Sequence, residues 1–317
     1  MTTTTDALPM ILDEVAVVSV ERLSSSYLRL ELGSPVLADF GVDGPLYDQR
    51  IKLVFPDGDG PLPSFEGADE SWFTTWLARP VRERGHMRTY TVREVRGTGD
   101  DTRLVVDFVL HGVEGHGEAG PGSTWAARAR VGDRVVLMGP RKGVEYGGIE
   151  FVPGTARRLL LVGDETAVPA VASVLADLSP QAQGAVFLEV PTADDVQALA
   201  HPDGVEVTWL PRDGAARGEG IHAAVLAHVG AAYAPPSVEP DEIDPDLWET
   251  PTYSSSGEEV DLAVTQVGHD LDDLYAWIAG ESAMVTGLRR ALVKGLEMDR
   301  RQVAFMGYWR EGVSMQS

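Results

Sequence analysis

The feature that most constrains this chain is a change of period near its middle. Short alternating runs occupy the chain up to about residue 139, and after residue 158 they give way to hydrophobic strands separated by helical stretches. Alternation at period two belongs to strands that bury one face, whereas strand, helix and strand in succession belong to a parallel sheet. One layer architecture cannot hold both patterns. A length of 317 residues, at roughly 150 residues per cored domain, leaves room for two.

In the first half the runs are Glu14 to Val20, Tyr27 to Leu32, Arg50 to Phe55, Arg88 to Val95, Arg103 to His111 and Arg134 to Met138. Glycine, proline and aspartate turns separate them, which predicts an antiparallel barrel or sandwich. One helix is expected there, around Ser123 to Arg130. The segment GPRKGVEYGGIEFVPGTARR, residues 139–158, is turn-rich and reads as a connector. Beyond it come strand Arg158 to Val162, helix Thr166 to Leu178, strand Ala185 to Val190, helix Asp194 to Ala200 and strand Val205 to Leu210. After an interruption follow strand Leu271 to Ala279, helix Ser282 to Leu296 and strand Gln302 to Tyr308. Pro235 to Asp261 is acidic, rich in proline and serine and without a sustained period, so it is expected to be a long loop or a hairpin insertion. The expected layout is a disordered tail over 1–10, a β-barrel domain over 11–153 and an α/β domain over 154–317 carrying the insertion 235–261.

Composition excludes several classes. Against 49 acidic residues stand 26 basic ones, a formal charge of −23, which argues against nucleic acid or an anionic membrane as partner. Lysine occurs only at Lys52, Lys142 and Lys294. With no cysteine in the chain, disulfides, thiolate zinc sites, thiol nucleophiles and cysteine-held iron–sulfur clusters are all ruled out. Any redox chemistry must therefore come from an organic cofactor or from a metal held by nitrogen and oxygen. The opening TTTTDALP lacks a basic and apolar leader, and no apolar run is long enough to span a bilayer, so a cytoplasmic location is expected. The seven histidines are scattered, apart from His111 and His116, and there is neither a GxSxG elbow nor a P-loop.

Three stretches and one strand-end acid carry candidate chemistry. RTYTVR, Arg88 to Arg93, alternates Arg88, Tyr90 and Val92 with Thr89, Thr91 and Arg93. An aromatic between cations suits a flavin nucleotide, with the ring on Tyr90 and an arginine at the pyrophosphate; it equally suits a plain strand with a cross-strand charge pair. HGVEGHGEAGPGSTWA, His111 to Ala126, enters a helix at Ser123, Thr124 and Trp125, where backbone N–H groups and hydroxyls suit a phosphate or simply cap the helix. LLLVGDETAVPA, Leu159 to Ala170, sets Gly163, Asp164, Glu165 and Thr166 at the carboxyl end of a strand, the edge where open α/β sheets bind ligands. Its acidic pair would repel a pyrophosphate lying on it, so the nicotinamide or ribose end is expected nearby. Glu189 ends the next strand and reads either as an acceptor for the ribose 2′-hydroxyl of NADH or as a solvated strand-end charge.

Taken together these stretches resemble the siderophore-interacting protein family. RTYTVR is similar to its RxYTxR motif, HGVEGHGEAGPGSTWA to its His…GPAxxWA segment and GDETAVPA, residues 163–170, to its GDETALPA signature. WIAGES, Trp277 to Ser282, resembles WxAGE, and GYWREG, Gly307 to Gly312, resembles YWRxG; the five motifs run in family order over nearly the whole chain. Gly122 departs from the usual alanine, and the run from His111 to the Gly-Pro is longer than the family pattern.

The resemblance implies a ferredoxin-reductase-like fold, FAD and NADH or NADPH as cofactors, and a ferric siderophore as substrate. It implies Arg88, Tyr90, Thr91, Arg93, His111, Gly122, Ser123, Thr124 and Trp125 at the FAD. It implies Gly163, Asp164, Glu165, Thr166, Glu281, Tyr308 and Trp309 on the nicotinamide side, with Asp164, Glu281 and Trp309 the candidates nearest the chemistry. Glu189 joins that side by its place at the strand end. Lys52, Arg141, Lys142 and Arg310 are the candidates to receive an anionic siderophore, and a monomer is expected. A flavin accepts two electrons together and releases them singly, which matches hydride in and one electron out to ferric iron. Two rivals remain open: a general NAD(P)H-dependent flavin, ferric-chelate or quinone reductase, and a non-enzymatic siderophore-binding module.

Overall fold

The computed structural model describes residues 8–110, 119–231, 248–250, 253–254 and 273–312. The chain divides into two units, the first ending at Ile149 and the second beginning at Glu150.

The first unit is built on β1 (Met10–Arg22), β2 (Tyr27–Gly33), β3 (Arg50–Phe55), β4 (His86–Thr91), β5 (Glu94–Arg96), β6 (Arg103–Val109) and β7 (Arg134–Pro140). All pairings are antiparallel, in the order β4-β3-β7-β1-β2-β6-β5. Period-two burial explains them. In β2, Leu28, Leu30 and Leu32 enter the core while Arg29 turns outward to pair with Asp107 across the strands, Nε to Oδ1 at 2.7 Å.

The run expected as one strand from Arg88 to Val95 breaks at Val92 and Arg93. The Val92 N–H donates to the Gln49 carbonyl and the Arg93 N–H to the Val105 carbonyl. Gln49 leads into β3 and Val105 lies in β6, the strands beside the two edge strands, so two residues carry the chain from β4 at one edge to β5 at the other and the sheet curls into a barrel. Two further helices join the single one expected: α1 (Trp72–Leu77) and α2 (Val81–Arg84) precede α3 (Pro121–Ala126). They are too short to display a helical period. Trp76 anchors them, fully buried with its indole N–H on the Arg84 carbonyl at 2.7 Å.

The second unit holds β8 (Arg158–Gly163), α4 (Val168–Asp177), β9 (Gly184–Val190), β10 (Val205–Pro211), α5 (Glu219–His228), β11 (Trp248–Thr250), β12 (Tyr253–Ser254), β13 (Leu274–Glu281), α6 (Ser282–Arg289) and β14 (Val303–Trp309). The sheet order is β10-β9-β8-β13-β14-β11-β12. It is parallel from β10 to β14, and β11 adds antiparallel to β14. The hairpin β11–β12 lies inside the expected insertion, most of which falls outside the described residues.

The structure corrects the helix expectations at three places. Asp194 to Ala200 makes only a 3₁₀ turn, Ala193–Asp195, closed by the reciprocal Thr192 and Asp195 cap. None of Val196 to Ala200 is buried, so a helix there would have no packing to support it. Conversely α5 forms where none is expected, because Ile221, His222, Val225 and Leu226 give it a buried stripe. The helix expected over Ser282 to Leu296 is α-helical only to Arg289 and then widens into a π-type turn over Arg290–Gly295.

Candidate functional site

On the barrel unit the RTYTVR strand and α3 meet. The Tyr90 ring lies 4.4 Å from Phe108 and 5.9 Å edge-on from Phe55, while Trp125 of α3 lies 5.0 Å from Phe55. These four rings form an aromatic floor. Gly122 is the point at which α3 crosses Tyr90, since a Cβ there would land on the Tyr90 hydroxyl. That contact explains the departure from alanine. Burial raises the Tyr90 pKa, with Arg88 opposing, so the phenol stays protonated. Helix α3 begins at Pro121, two residues before the expected Ser123. Ser123 Oγ donates to the Val109 carbonyl at 2.8 Å and Thr124 Oγ1 to the Ala119 carbonyl at 3.4 Å.

Cations lie along β3 and the RTYTVR segment on both faces of the sheet. Lys52 Nζ donates to Thr89 Oγ1 at 2.6 Å, and its pKa is lowered by burial first and then by Arg50 and Arg88, both cations. Burial also lowers Arg88, whose Nη1 donates to the Met87 carbonyl. Arg93 is lowered by burial more than Asp107 restores, and its buried Nε has no partner among the described residues. A buried guanidinium edge without an acceptor among the described residues fits an anionic group such as a flavin nucleotide's phosphates. Thr91 is buried on the same strand.

Two of the other cations expected for substrate are engaged elsewhere. Arg141 Nη1 binds Asp39 Oδ2 at 2.9 Å and Lys142 Nζ binds the Ala38 carbonyl at 2.7 Å. Arg310 is half-buried directly after β14, and His111 lies outside the described residues.

On the α/β unit the carboxyl ends of β8, β13 and β14 converge on Asp164. Its Oδ1 accepts from Thr166 N at 2.8 Å and Thr166 Oγ1 at 2.6 Å, and its Oδ2 accepts from Glu281 N and Trp309 Nε1, both at 2.8 Å. Gly280 makes room, because at φ 144° a Cβ would stand 2.7 Å from the Asp164 carboxyl carbon. Burial and then the Glu165 charge push the Asp164 pKa up to about 6, against the bonds from Thr166 and Trp309 and the charge of Arg217. Glu281 caps α6, its Oε2 accepting from Ala283 N at 2.7 Å and Met284 N at 3.1 Å. Ser282 Oγ holds the Trp309 carbonyl at 2.9 Å. Tyr308 is stacked by Trp248 of β11, with ring centres 6.0 Å apart, and Glu249 of the same strand binds Arg289 of α6 through both oxygens.

Glu165 and Glu189, expected on the nicotinamide side at the carboxyl ends of β8 and β9, are both buried. Glu165 accepts from Arg212 Nη1 at 2.9 Å and Nη2 at 3.2 Å, and from Arg217 Nη1 at 2.7 Å. Glu189 accepts from Gly218 N at 3.1 and 3.0 Å and from Arg212 Nη1 at 3.3 Å. Its oxygens face these donors, so the solvated reading of Glu189 is corrected. Burial works against the Arg212 charge, but the carboxylates outweigh it and raise its pKa. Arg212 and Arg217, which sequence reasoning missed, are the cations of this edge. Arg212 sits one residue past a strand end, a place that could have flagged it.

Family models cover both units. Residues 16–144 match the siderophore-interacting FAD-binding domain and residues 156–312 match the siderophore-interacting protein model. The chain belongs to the siderophore-interacting protein family. The barrel is accordingly the family's FAD-binding domain. Ferric vibriobactin reductase ViuB of Vibrio cholerae is 28% identical over 295 residues, which is 92% of this chain and 86% of that protein. The NADPH-dependent ferric-chelate reductase of Escherichia coli is 27% identical over 303 residues, covering 93% and 92%. A Mycobacterium tuberculosis protein is 39% identical over 203 residues; this match spans 63% of the chain and 65% of that protein's length. Among solved structures, the siderophore utilization protein from T. fusca superimposes with TM-score 0.66 at 28% identity, covering 99% and 98% of the two chains. The ferredoxin reductase of carbazole 1,9a-dioxygenase, at TM-score 0.53 and 18% identity, shares the fold.

Proposed function

We propose that this siderophore-interacting protein is an FAD-dependent oxidoreductase that takes electrons from NADH or NADPH and reduces ferric siderophores, releasing ferrous iron in the cytoplasm. The observation that carries this reading is the RTYTVR segment: an aromatic floor at Tyr90 with half-buried arginines on the same strand run, among them an Arg93 whose buried Nε has no acceptor among the described residues. Bound FAD supplies the ability to accept hydride and to return electrons one at a time. Tyr90 and Trp125 hold its ring system, and Arg88, Thr91 and Arg93 hold its polar face. Gly122 and Ser123 offer the open start of α3 to its phosphates, and Thr124, whose N–H holds the Gly120 carbonyl, closes the turn behind them. His111 completes the set by family analogy. Gly163 to Thr166, Glu281, Tyr308 and Trp309 form the nicotinamide side. Asp164 and Glu281 act there by positioning, since their oxygens already hold Trp309, the β13 end and the start of α6.

Lys52 best fits the substrate role, because its bond goes to a hydroxyl and not to a carboxylate. Arg310 keeps that role by its place directly after Tyr308 and Trp309. The hard oxygen ligands of a siderophore hold ferric iron, and reduction loosens them. Arg141 and Lys142 are turned to protein acceptors, which favours a second reading, a less selective ferric-chelate reductase.

An anaerobic spectrum tests both readings, recorded before and after NADH or NADPH and again after a ferric siderophore with a ferrous-iron trap. The expected result is a flavin band that bleaches with nucleotide and returns as ferrous iron is trapped. Equal turnover of unrelated ferric chelates selects the second reading, and a colourless protein that cannot take up FAD rejects both.

A further inference from the structure

The turn after β8 sets two carboxylates on the edge that a nucleotide's phosphates have to cross. Its sequence also lacks the glycine-rich loop whose N–H groups hold a pyrophosphate in dinucleotide folds. Both carboxylates are turned inward. Asp164 directs its oxygens to Thr166, Glu281 and Trp309, and Glu165 directs its own to Arg212 and Arg217. At the start of α5 the N-cap Gly218 gives its N–H to Glu189. With no glycine-rich cradle after β8, a side-chain cation is the natural source of charge for a phosphate.

Of the two arginines, Arg212 donates to Glu165 and Glu189 from Nη1 and to Glu165 again from Nη2. Arg217 differs. Both its bonds to Glu165 leave from Nη1, and its Nε is buried with no partner among the described residues. Its guanidinium carbon stands 4.6 Å above the Trp309 ring. Trp309 is itself tied to Asp164 in the turn after β8, the central strand of the parallel sheet. Arg217 thus starts in the loop after β10, at the sheet's edge, and reaches across to the middle. The ribose end of a bound dinucleotide belongs farther out, near β9, where Glu189 and Arg212 already neutralise each other.

We propose that Arg217 is the phosphate-binding residue of this edge and receives the pyrophosphate of the nicotinamide nucleotide in place of a glycine-rich turn. The inference rests on the nicotinamide reading above. Glu165 anchors the guanidinium from beneath through one nitrogen, Trp309 supports its face, and the remaining donor edge matches a phosphate's oxygens.

Calorimetric titration of the full-length, FAD-loaded protein tests this with two probes. ADP-ribose carries the pyrophosphate and no 2′-phosphate, whereas 2′-AMP carries a 2′-phosphate and no pyrophosphate. Arg217→Ala is expected to weaken ADP-ribose roughly 10- to 100-fold, the scale of one charge-assisted pair, and 2′-AMP less than about 3-fold. The nicotinamide nucleotide KM should rise in parallel with kcat little changed. Arg217→Lys keeps a cation for Glu165 and is expected to fall between; it is the readout if the alanine variant does not fold. Arg157→Ala, at an exposed pair with Asp273, should leave both affinities unchanged. Unchanged ADP-ribose affinity in Arg217→Ala and Arg217→Lys, or a loss confined to 2′-AMP, overturns the proposal alone. A wild-type protein that holds FAD but binds no nicotinamide nucleotide overturns the reductase reading and this proposal with it.

Discussion

Replacing Asp164 by asparagine sets two large effects against each other and makes them separable by pH. The carboxyl is fully buried, and its pKa is raised from 3.8 to about 6, by burial first and the Glu165 charge second. That displacement corresponds to about 3 kcal/mol between the two protonation states. The sign follows from linkage. A carboxyl whose folded pKa lies above its unfolded value contributes stability at pH below 3.8, and that stability is lost as pH rises through about 6. At neutral pH, therefore, Asp164 is a charged group that the fold tolerates at a cost, and asparagine removes the charge. Asparagine also removes an acceptor. Both oxygens accept from two donors each, so an amide N–H₂ must face one of those pairs. Turned toward Thr166 it leaves at least the Thr166 N–H unmatched, at about 1–3 kcal/mol. The two effects nearly cancel at pH 7.5. As pH falls the wild type gains and the variant does not, so the variant's relative stability should drop by about 1 kcal/mol at pH 5 and about 2 kcal/mol at pH 4. Urea denaturation of both proteins from pH 4 to 8, followed by far-ultraviolet circular dichroism, reads this difference. Parallel stability curves across that range would refute the assignment of the raised pKa to Asp164.

Other perturbations give sharper single outcomes. Arg93→Ala should weaken FAD retention on the order of 10-fold or more, read as flavin absorbance per protein after gel filtration, with circular dichroism unchanged. Gly122→Ala puts a methyl on the Tyr90 hydroxyl and should lower stability by about 1–3 kcal/mol, the usual cost of overpacking; Gly122→Ala combined with Tyr90→Phe should recover part of it. Glu249→Ala strips the half-buried Arg289 of its carboxylate and should cost about 1–3 kcal/mol in a thermal or urea melt, while freeing the strand that carries Trp248.

The barrel was legible because its strands bury alternate residues, as Leu28, Leu30 and Leu32 do, and the second unit because the parallel strands β8, β9 and β13 are apolar almost throughout. The closure at Val92 and Arg93 was not, since a strand that changes partners keeps its period while its hydrogen bonds move from Gln49 to Val105. Short helices escaped for a related reason. Trp72 to Leu77 spans less than two turns, and it forms because Trp76 finds a buried slot, a fact of packing and not of propensity. The false helix from Asp194 to Ala200 is the mirror case, with good helix formers and nothing to bury.

The site was legible as a set of positions and much less so as a set of charges. Motif order located Asp164, Glu165, Glu281 and Trp309 at one sheet edge, and the fold does bring Asp164, Glu281 and Trp309 within hydrogen-bond distance. A reading of types along the chain gave the turn after β8 a negative face. Its actual face depends on which atoms those carboxylates turn inward, and that depends on arginines 47 and 52 residues downstream. With Glu165 buried between Arg212 and Arg217, and Glu189 between Arg212 and the start of α5, both acids are turned to protein donors and the edge keeps a half-buried arginine. In a chain of formal charge −23 the same logic holds on the barrel, where Lys52, Arg50 and Arg88 meet without a carboxylate among the groups that set the Lys52 charge. Burial lowers the pKa of Lys52, Arg88 and Arg93 alike, so each carries a desolvation cost that an anion bound against the barrel would offset.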